Sequence, residues 1–163
     1  MPENGHDGIL ESVFFMEKKQ FLAIARRFFK EKGCQIIKNS RFVYQTVKFD
    51  VEFQMMHSNF GEYYYLQYYF YFHEMGIYYP TPLFSATGRV ERLMQSSEIY
   101  YLDIEPKEFS KCLEAAFDEE LKLIIDHGLP YIVYLWKTNK CMFFRGSKEY
   151  MQSLEEKMTI PHE

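Results

Sequence analysis

The stretch RFVYQTVKFDVEFQMMHSNFGEYYYLQYYFYFH, residues 41–73, decides the fold. Its odd positions begin Val43, Gln45, Val47, Phe49, Val51, Phe53, Met55. Its even positions begin Tyr44, Thr46, Lys48, Asp50, Glu52, Gln54, Met56. One parity is apolar with a single exception and the other mostly polar, and no Gly or Pro interrupts them. Successive side chains of a strand point to opposite faces, so this pattern predicts one long amphipathic strand over Arg41–His57, or two collinear pieces bent near Asp50. Ser58–Gly61 reads as a turn and Glu62–His73 as a second strand antiparallel to the first. With His57 facing Glu62, Phe53 falls opposite Leu66 and Glu52 opposite Gln67. Tyr64, Leu66, Tyr68, Phe70 and Phe72 then share a buried face with Phe53. The other face collects Tyr63, Tyr65, Gln67, Tyr69, Tyr71 and His73 against Met56, Gln54, Glu52, Asp50, Lys48 and Thr46.

Outward from this hairpin, residues 1–10 read as a polar lead-in to one domain spanning 1–163. A helix is predicted from Ser12 to Lys32, with Phe14, Phe21, Ala25 and Phe28 on one stripe and Gly33 ending it. Cys34–Lys38 is a short segment leading to a turn at Asn39–Ser40. Beyond the hairpin, Met75–Pro82 is a loop. Phe84–Leu93 and Ile99–Ile104 read as a third and a fourth strand. Pro106–His127 is a long helix with Phe109, Leu113, Ala116, Phe117, Leu121, Ile124 and Ile125 on its buried stripe. Residues 131–144 fit a hairpin or short helices, and Pro130 with Thr138 favours the helices. Ser147–Met158 closes the chain as a helix. The fold class is therefore α+β: an antiparallel sheet of about four strands packed on one face by the first and the long helix.

Composition narrows the function classes. The chain has 163 residues, 14 Tyr, 16 Phe and one Trp, and a formal net charge of −4. That charge argues against a nucleic-acid partner bound by phosphate neutralisation. No run of about 18 apolar residues is present to span a bilayer, and no basic segment precedes an apolar one near Met1, so neither a membrane nor a secretory route is expected. Cys34, Cys112 and Cys141 are odd in number and far apart. They fit neither a disulfide framework nor a metal motif and read as reduced cytoplasmic thiols.

Catalytic signatures are missing: there is no Gly-rich phosphate loop, HExxH, GxSxG or CxxC. Gly88 in Ala86–Arg89 reads as a site of close packing. His57 and His73 fall at opposite ends of the hairpin, ~35 Å apart at ~3.3 Å per residue, too far to share a metal. His127 suits a helix C-terminus. No cofactor, metal or catalytic residue is assigned. Asp50 and Glu52 share a parity, so a carboxylate-based enzyme assisted by Arg89 is a third-ranked reading.

The order of elements resembles an uncharacterised bacterial family, domain of unknown function 4304. The resembling residues are the opening helix ending in Lys32–Gly33, the strand DVEFQMMHS at Asp50–Ser58, the aromatic strand from Tyr63, Gly88–Val90, and the long helix ending in Gly128–Pro130. The resemblance covers about residues 16–157 and implies a bacterial cytoplasmic origin. It carries no reaction and no functional residues.

The leading functional expectation is a non-enzymatic binding module that recognises a protein through its tyrosine-rich, acidic sheet face. Tyr65, Tyr69, Tyr71, Glu52, Asp50, Gln67 and Arg89 are its candidate residues. Tyrosine supplies contact area and a hydrogen bond at low entropic cost, and interleaved acids favour a basic partner, as in an immunity-like protein covering a toxin. The alternative is a small-ligand domain with an aromatic pocket. Homo-oligomerisation stays open.

Overall fold

A computed structural model describes residues 16–90 and 104–159. Its sheet has six strands in chain order, each antiparallel to the next. They are β1 (Gln35–Lys38), β2 (Arg41–Gln45), β3 (Phe49–His57), β4 (Tyr64–Phe72), β5 (Ala86–Arg89) and β6 (Cys141–Phe143). Four helices accompany it: α1 (Lys18–Glu31), α2 (from Pro106–Ala116 through a π-helical turn, Phe117–Leu121, into Lys122–His127), α3 (Leu129–Lys137) and α4 (Arg145–Thr159). The architecture is α+β with six strands rather than about four. Residues 91–103, which hold most of the expected Ile99–Ile104 strand and the end of Phe84–Leu93, lie outside the described residues, as does the Ser12–Phe15 start of the first helix. Ile104 itself is buried.

Arg41–His57 is neither one long strand nor two collinear pieces bent near Asp50, but two strands folded back on each other. Thr46 makes the reversal. Its N–H and its hydroxyl both donate to Phe49 O, at 2.9 and 2.7 Å, and its Oγ1 accepts from Phe49 N–H at 3.1 Å. Val47, read as a buried apolar position, is the turn tip and is 92% exposed. The fold-back pairs Phe42 with Phe53 and Val43 with Glu52. Phe42 and Tyr44 therefore face the helices, while Val43 lies on the opposite face from Phe53.

The β3–β4 hairpin keeps the expected parity but slips by two residues. Phe53 faces Tyr68 rather than Leu66, and Glu52 faces Tyr69 rather than Gln67. Ser58 causes the slip. It extends the ladder by donating its N–H to Tyr63 O at 2.9 Å, while its hydroxyl accepts from Phe60 N–H at 2.9 Å. The loop therefore moves to 59–62. A two-residue slip leaves every side chain on its face, where a one-residue slip would invert them all.

The helices pack on the face of Phe42, Phe53, Tyr64, Phe70 and Phe72. Phe29 of α1 stacks on Phe42 (4.6 Å between centroids) and Phe53 (5.4 Å), and Phe21 stacks on Tyr64 and on Phe109 of α2. Each buried ring contributes roughly 1.5–3 kcal/mol, so this layer holds the helices to the sheet. Gly33, at φ 95°, ends α1: Cys34 N–H reaches Phe29 O and Gly33 N–H reaches Lys30 O, a left-handed turn that suits glycine. In α2 the apolar residues Phe109, Leu113, Phe117, Leu121 and Ile125 recur every four positions. On a helix of 3.6 residues per turn that spacing drifts around the axis, and the wider π turn at Phe117–Leu121 takes up the drift. Residues 131–144 divide: Leu129–Lys137 is helical and Cys141–Phe143 is the edge strand β6.

Candidate functional site

The sheet face away from the helices brings all seven candidate residues into adjoining ladder positions on β3, β4 and β5. Glu52 faces Tyr69, Asp50 faces Tyr71, and Gln67 faces Arg89. The arrangement splits into a sealed half and an open half.

The sealed half is built around the two acids. Asp50 and Glu52 are only 2% and 1% exposed, not solvated as expected for the polar side of a strand. Glu52 accepts from Arg41 Nε and, at 3.0 Å, from Arg41 Nη2, and from the Tyr71 hydroxyl at 3.1 Å. The cation near the acids is thus Arg41, not Arg89. Asp50 accepts the Tyr79 N–H at 2.9 Å. His73 Nε2 lies 3.0 Å from Asp50 Oδ2, within ion-pair distance but off the line of a hydrogen bond, while its Nδ1 lies 2.9 Å from Val47 O. Asp50 Oδ1 is buried without a hydrogen-bond partner.

The segment between β4 and β5 covers this half. It turns through His73–Met75 and the left-handed Gly76, and lays Tyr78 on His73, Tyr79 edge-on against Tyr71, and Phe84 against Tyr69. Ser85 anchors its far end, donating to Phe70 O at 2.7 Å and accepting from Phe72 N–H through its hydroxyl. Tyr71 is buried as a result. Burial, then the nearby Glu52 charge, raises the Tyr69, Tyr71 and Tyr79 phenols above their ordinary range. The bidentate bond to Glu52 holds the Arg41 guanidinium charged. Glu52 is surrounded by permanent donors, as an internal ion pair requires.

The open half runs from Met56 and Tyr65 across Gln67 and Tyr69 to Thr87, Arg89 and Met142. Tyr69, Thr87 and Met142 form one cross-strand row on β4, β5 and β6, and Met142 at its end is 65% exposed. Gln67 Nε2 donates to Thr87 Oγ1 at 2.9 Å, the Tyr69 hydroxyl reaches Met56 Sδ, and the Arg89 guanidinium lies 3.8 Å from the Tyr65 ring centroid. Arg89 therefore belongs to the ring surface, not to the acids.

Beneath β5, Gly88 leaves room for the Tyr68 side chain. A Cβ there would stand 2.7 Å from the Tyr68 hydroxyl and from Cys141 Sγ. Close packing is the role of this glycine. Tyr68 also walls a cavity of about 240 Å³ below the π turn, with Arg89, Glu119, Glu120, Tyr131 and Tyr134. Burial pushes the Cys34 thiol up to about 12 and raises Cys112, so neither is an activated thiolate.

Arg41, His73 and Tyr79 are the residues that sequence reading missed. Arg41 reaches Glu52 only because the 41–57 stretch reverses, and Tyr79 reaches Asp50 only because its loop folds back over the sheet. No group of three or more His, Cys, Asp or Glu among the described residues is placed to hold a metal, and no helix among them is long and apolar enough to cross a membrane. No family model, curated protein or solved structure matches this chain.

Proposed function

We propose that the chain is a binding module that recognises a protein through the open half of its outer sheet face. The observation that carries this reading is the continuous row Tyr69–Thr87–Met142, flanked by Tyr65 with Arg89 stacked on it. Tyr, Met and Arg are the residue types enriched where proteins meet. Asp50 and Glu52 are engaged within the chain, so the contact rests on rings, a thioether and one guanidinium. The immunity-like form, with free acids set against a basic toxin, loses the carboxylates it relied on.

The test is capture of partners from the native host by the wild type, Tyr69→Ala and Met142→Glu, each checked for a native circular-dichroism spectrum. Loss of the same captured protein in both variants supports the reading. Equal capture by folded Met142→Glu overturns it, because Met142 is solvent-facing and has no packing role to confuse the result.

A small-ligand reading is favoured less by the cavity under the π turn. Its volume of about 240 Å³ is below the roughly 300–1,000 Å³ usual for ligand pockets.

A further inference from the structure

A larger space lies beside the β2–β3 turn. The β2–β3 turn (46–49), the α2–α3 junction (125–130) and the last turns of α4 enclose a groove of about 720 Å³. Its floor is apolar, with Phe49 and Leu129 buried and Ile125 and Leu154 partly so. Its rim carries two exposed apolar side chains, Val47 and Met158. Gly128 makes the wall: at φ 63° it turns the end of α2 directly into α3, a conformation that suits glycine.

Two lysines line the same groove, Lys48 from the turn and Lys157 from α4, together with the imidazole of His127 at the end of α2. Neither lysine forms an ion pair among the described residues, and Asp126 is the sole acid among the described lining residues. Glu155, on the same helix as Lys157, pairs with Lys137 of α3. An apolar floor with an unneutralised cationic rim is complementary to a molecule that is apolar at one end and anionic at the other.

We infer that this groove binds a small amphiphilic anion, a hydrocarbon chain carrying a carboxylate or a phosphate. The chain lies on Phe49, Ile125, Leu129 and Leu154, and the headgroup meets Lys48 and Lys157. The inference is independent of the sheet-face reading, since the groove includes none of that face's open residues.

Calorimetric titration with decanoate, decyl phosphate, decanol and decyltrimethylammonium, all as monomers, tests it. The two anions should bind at least tenfold more tightly than the cation, and the tighter of the two identifies the headgroup. Each added methylene should strengthen binding about two- to fourfold until the groove is filled. Lys48→Gln/Lys157→Gln should weaken the anions about tenfold and leave decanol unchanged. Both lysines are exposed, so the variant should fold. Equal binding of all four probes, absence of binding, or an unchanged affinity in the lysine variant overturns the proposal. So does lysine-dependent binding to phosphatidylglycerol vesicles without binding of the monomeric anions, which makes the groove a membrane-contact surface. A ligand-free dimer that Val47→Asp dissociates also overturns it, because a second copy then fills the groove.

Discussion

Arg41 holds Glu52 from the neighbouring strand with two N–H groups, one diagonal step from its own ladder partner Gln54. Tyr71 closes the third side of the carboxylate. An acid on the outward parity of an amphipathic strand is thereby taken out of water, and it behaves as part of a second, smaller packing layer. That layer accounts for a strand whose residues Phe49–Phe53 are buried on both faces.

Arg41→Met should destabilise the protein by about 2–4 kcal/mol in urea melts. Removing one partner of a buried pair typically costs ~3–5 kcal/mol, and the value is lowered because Arg41 is about one third exposed. In Arg41→Met/Glu52→Gln the loss should shrink, since no uncompensated charge stays buried. A loss below about 0.5 kcal/mol for the single variant would show that Glu52 is solvated.

Phe117→Ala should cost about 3–5 kcal/mol, the usual effect of deleting a buried ring. Phe117 opens the π turn of α2, meets Phe28 edge-on, and lies under the Lys32 ammonium, which also pairs with Glu114. A loss under about 1 kcal/mol would mean that α1 and α2 are not joined through this ring.

Stability should fall as pH rises above about 9. Burial raises the Cys34 thiol to about 12, so between about pH 9 and 12 the unfolded chain releases a proton that the folded chain retains. The unfolded state then binds fewer protons, and the free energy of unfolding declines with pH. The Tyr68 and Tyr71 phenols, raised chiefly by burial, act in the same direction. Urea melts at pH 8, 9 and 10 should show a shallower decline for Cys34→Ala, by about 1 kcal/mol per pH unit. Parallel slopes for the two proteins would contradict a buried thiol.

Gly88→Ala should destabilise by about 1–3 kcal/mol, the range for overpacking a filled site, because its Cβ would stand 2.7 Å from both Tyr68 and Cys141. In a Tyr68→Leu background the added cost should fall by at least about 0.5 kcal/mol. Strict additivity of the two substitutions would show that the ring and the glycine do not meet.

Local pattern made much of this architecture legible. Period 2 in Phe49–Phe72 assigned Phe53, Leu66 and Phe70 to one face and Glu52, Gln67 and Tyr69 to the other, because strand geometry forces alternation whatever the partner. Likewise, the spacing of Phe109, Leu113, Leu121 and Ile124 marked the buried side of α2, and Gly33 marked the end of α1.

Other features depended on contacts between residues far apart in the chain. The alternation through Val43–Phe49 is equally compatible with one long strand and with a reversal. The hydrogen bonds of Thr46 to Phe49, together with the pairing of Phe42 on Phe53 under Phe29, decided for the reversal. The hairpin step was open by two residues because either register buries the same parity, and Ser58 selected one. The fate of Asp50 and Glu52 was furthest from local reach. Whether an outward carboxylate meets water or a cation depends on what crosses over it, and Arg41 and the Tyr78–Phe84 segment arrive there only through the tertiary fold. Residue order thus determined which face each side chain takes. The tertiary structure alone decided which parts of the outer face stayed open, because burial depends on neighbours that strand periodicity does not specify.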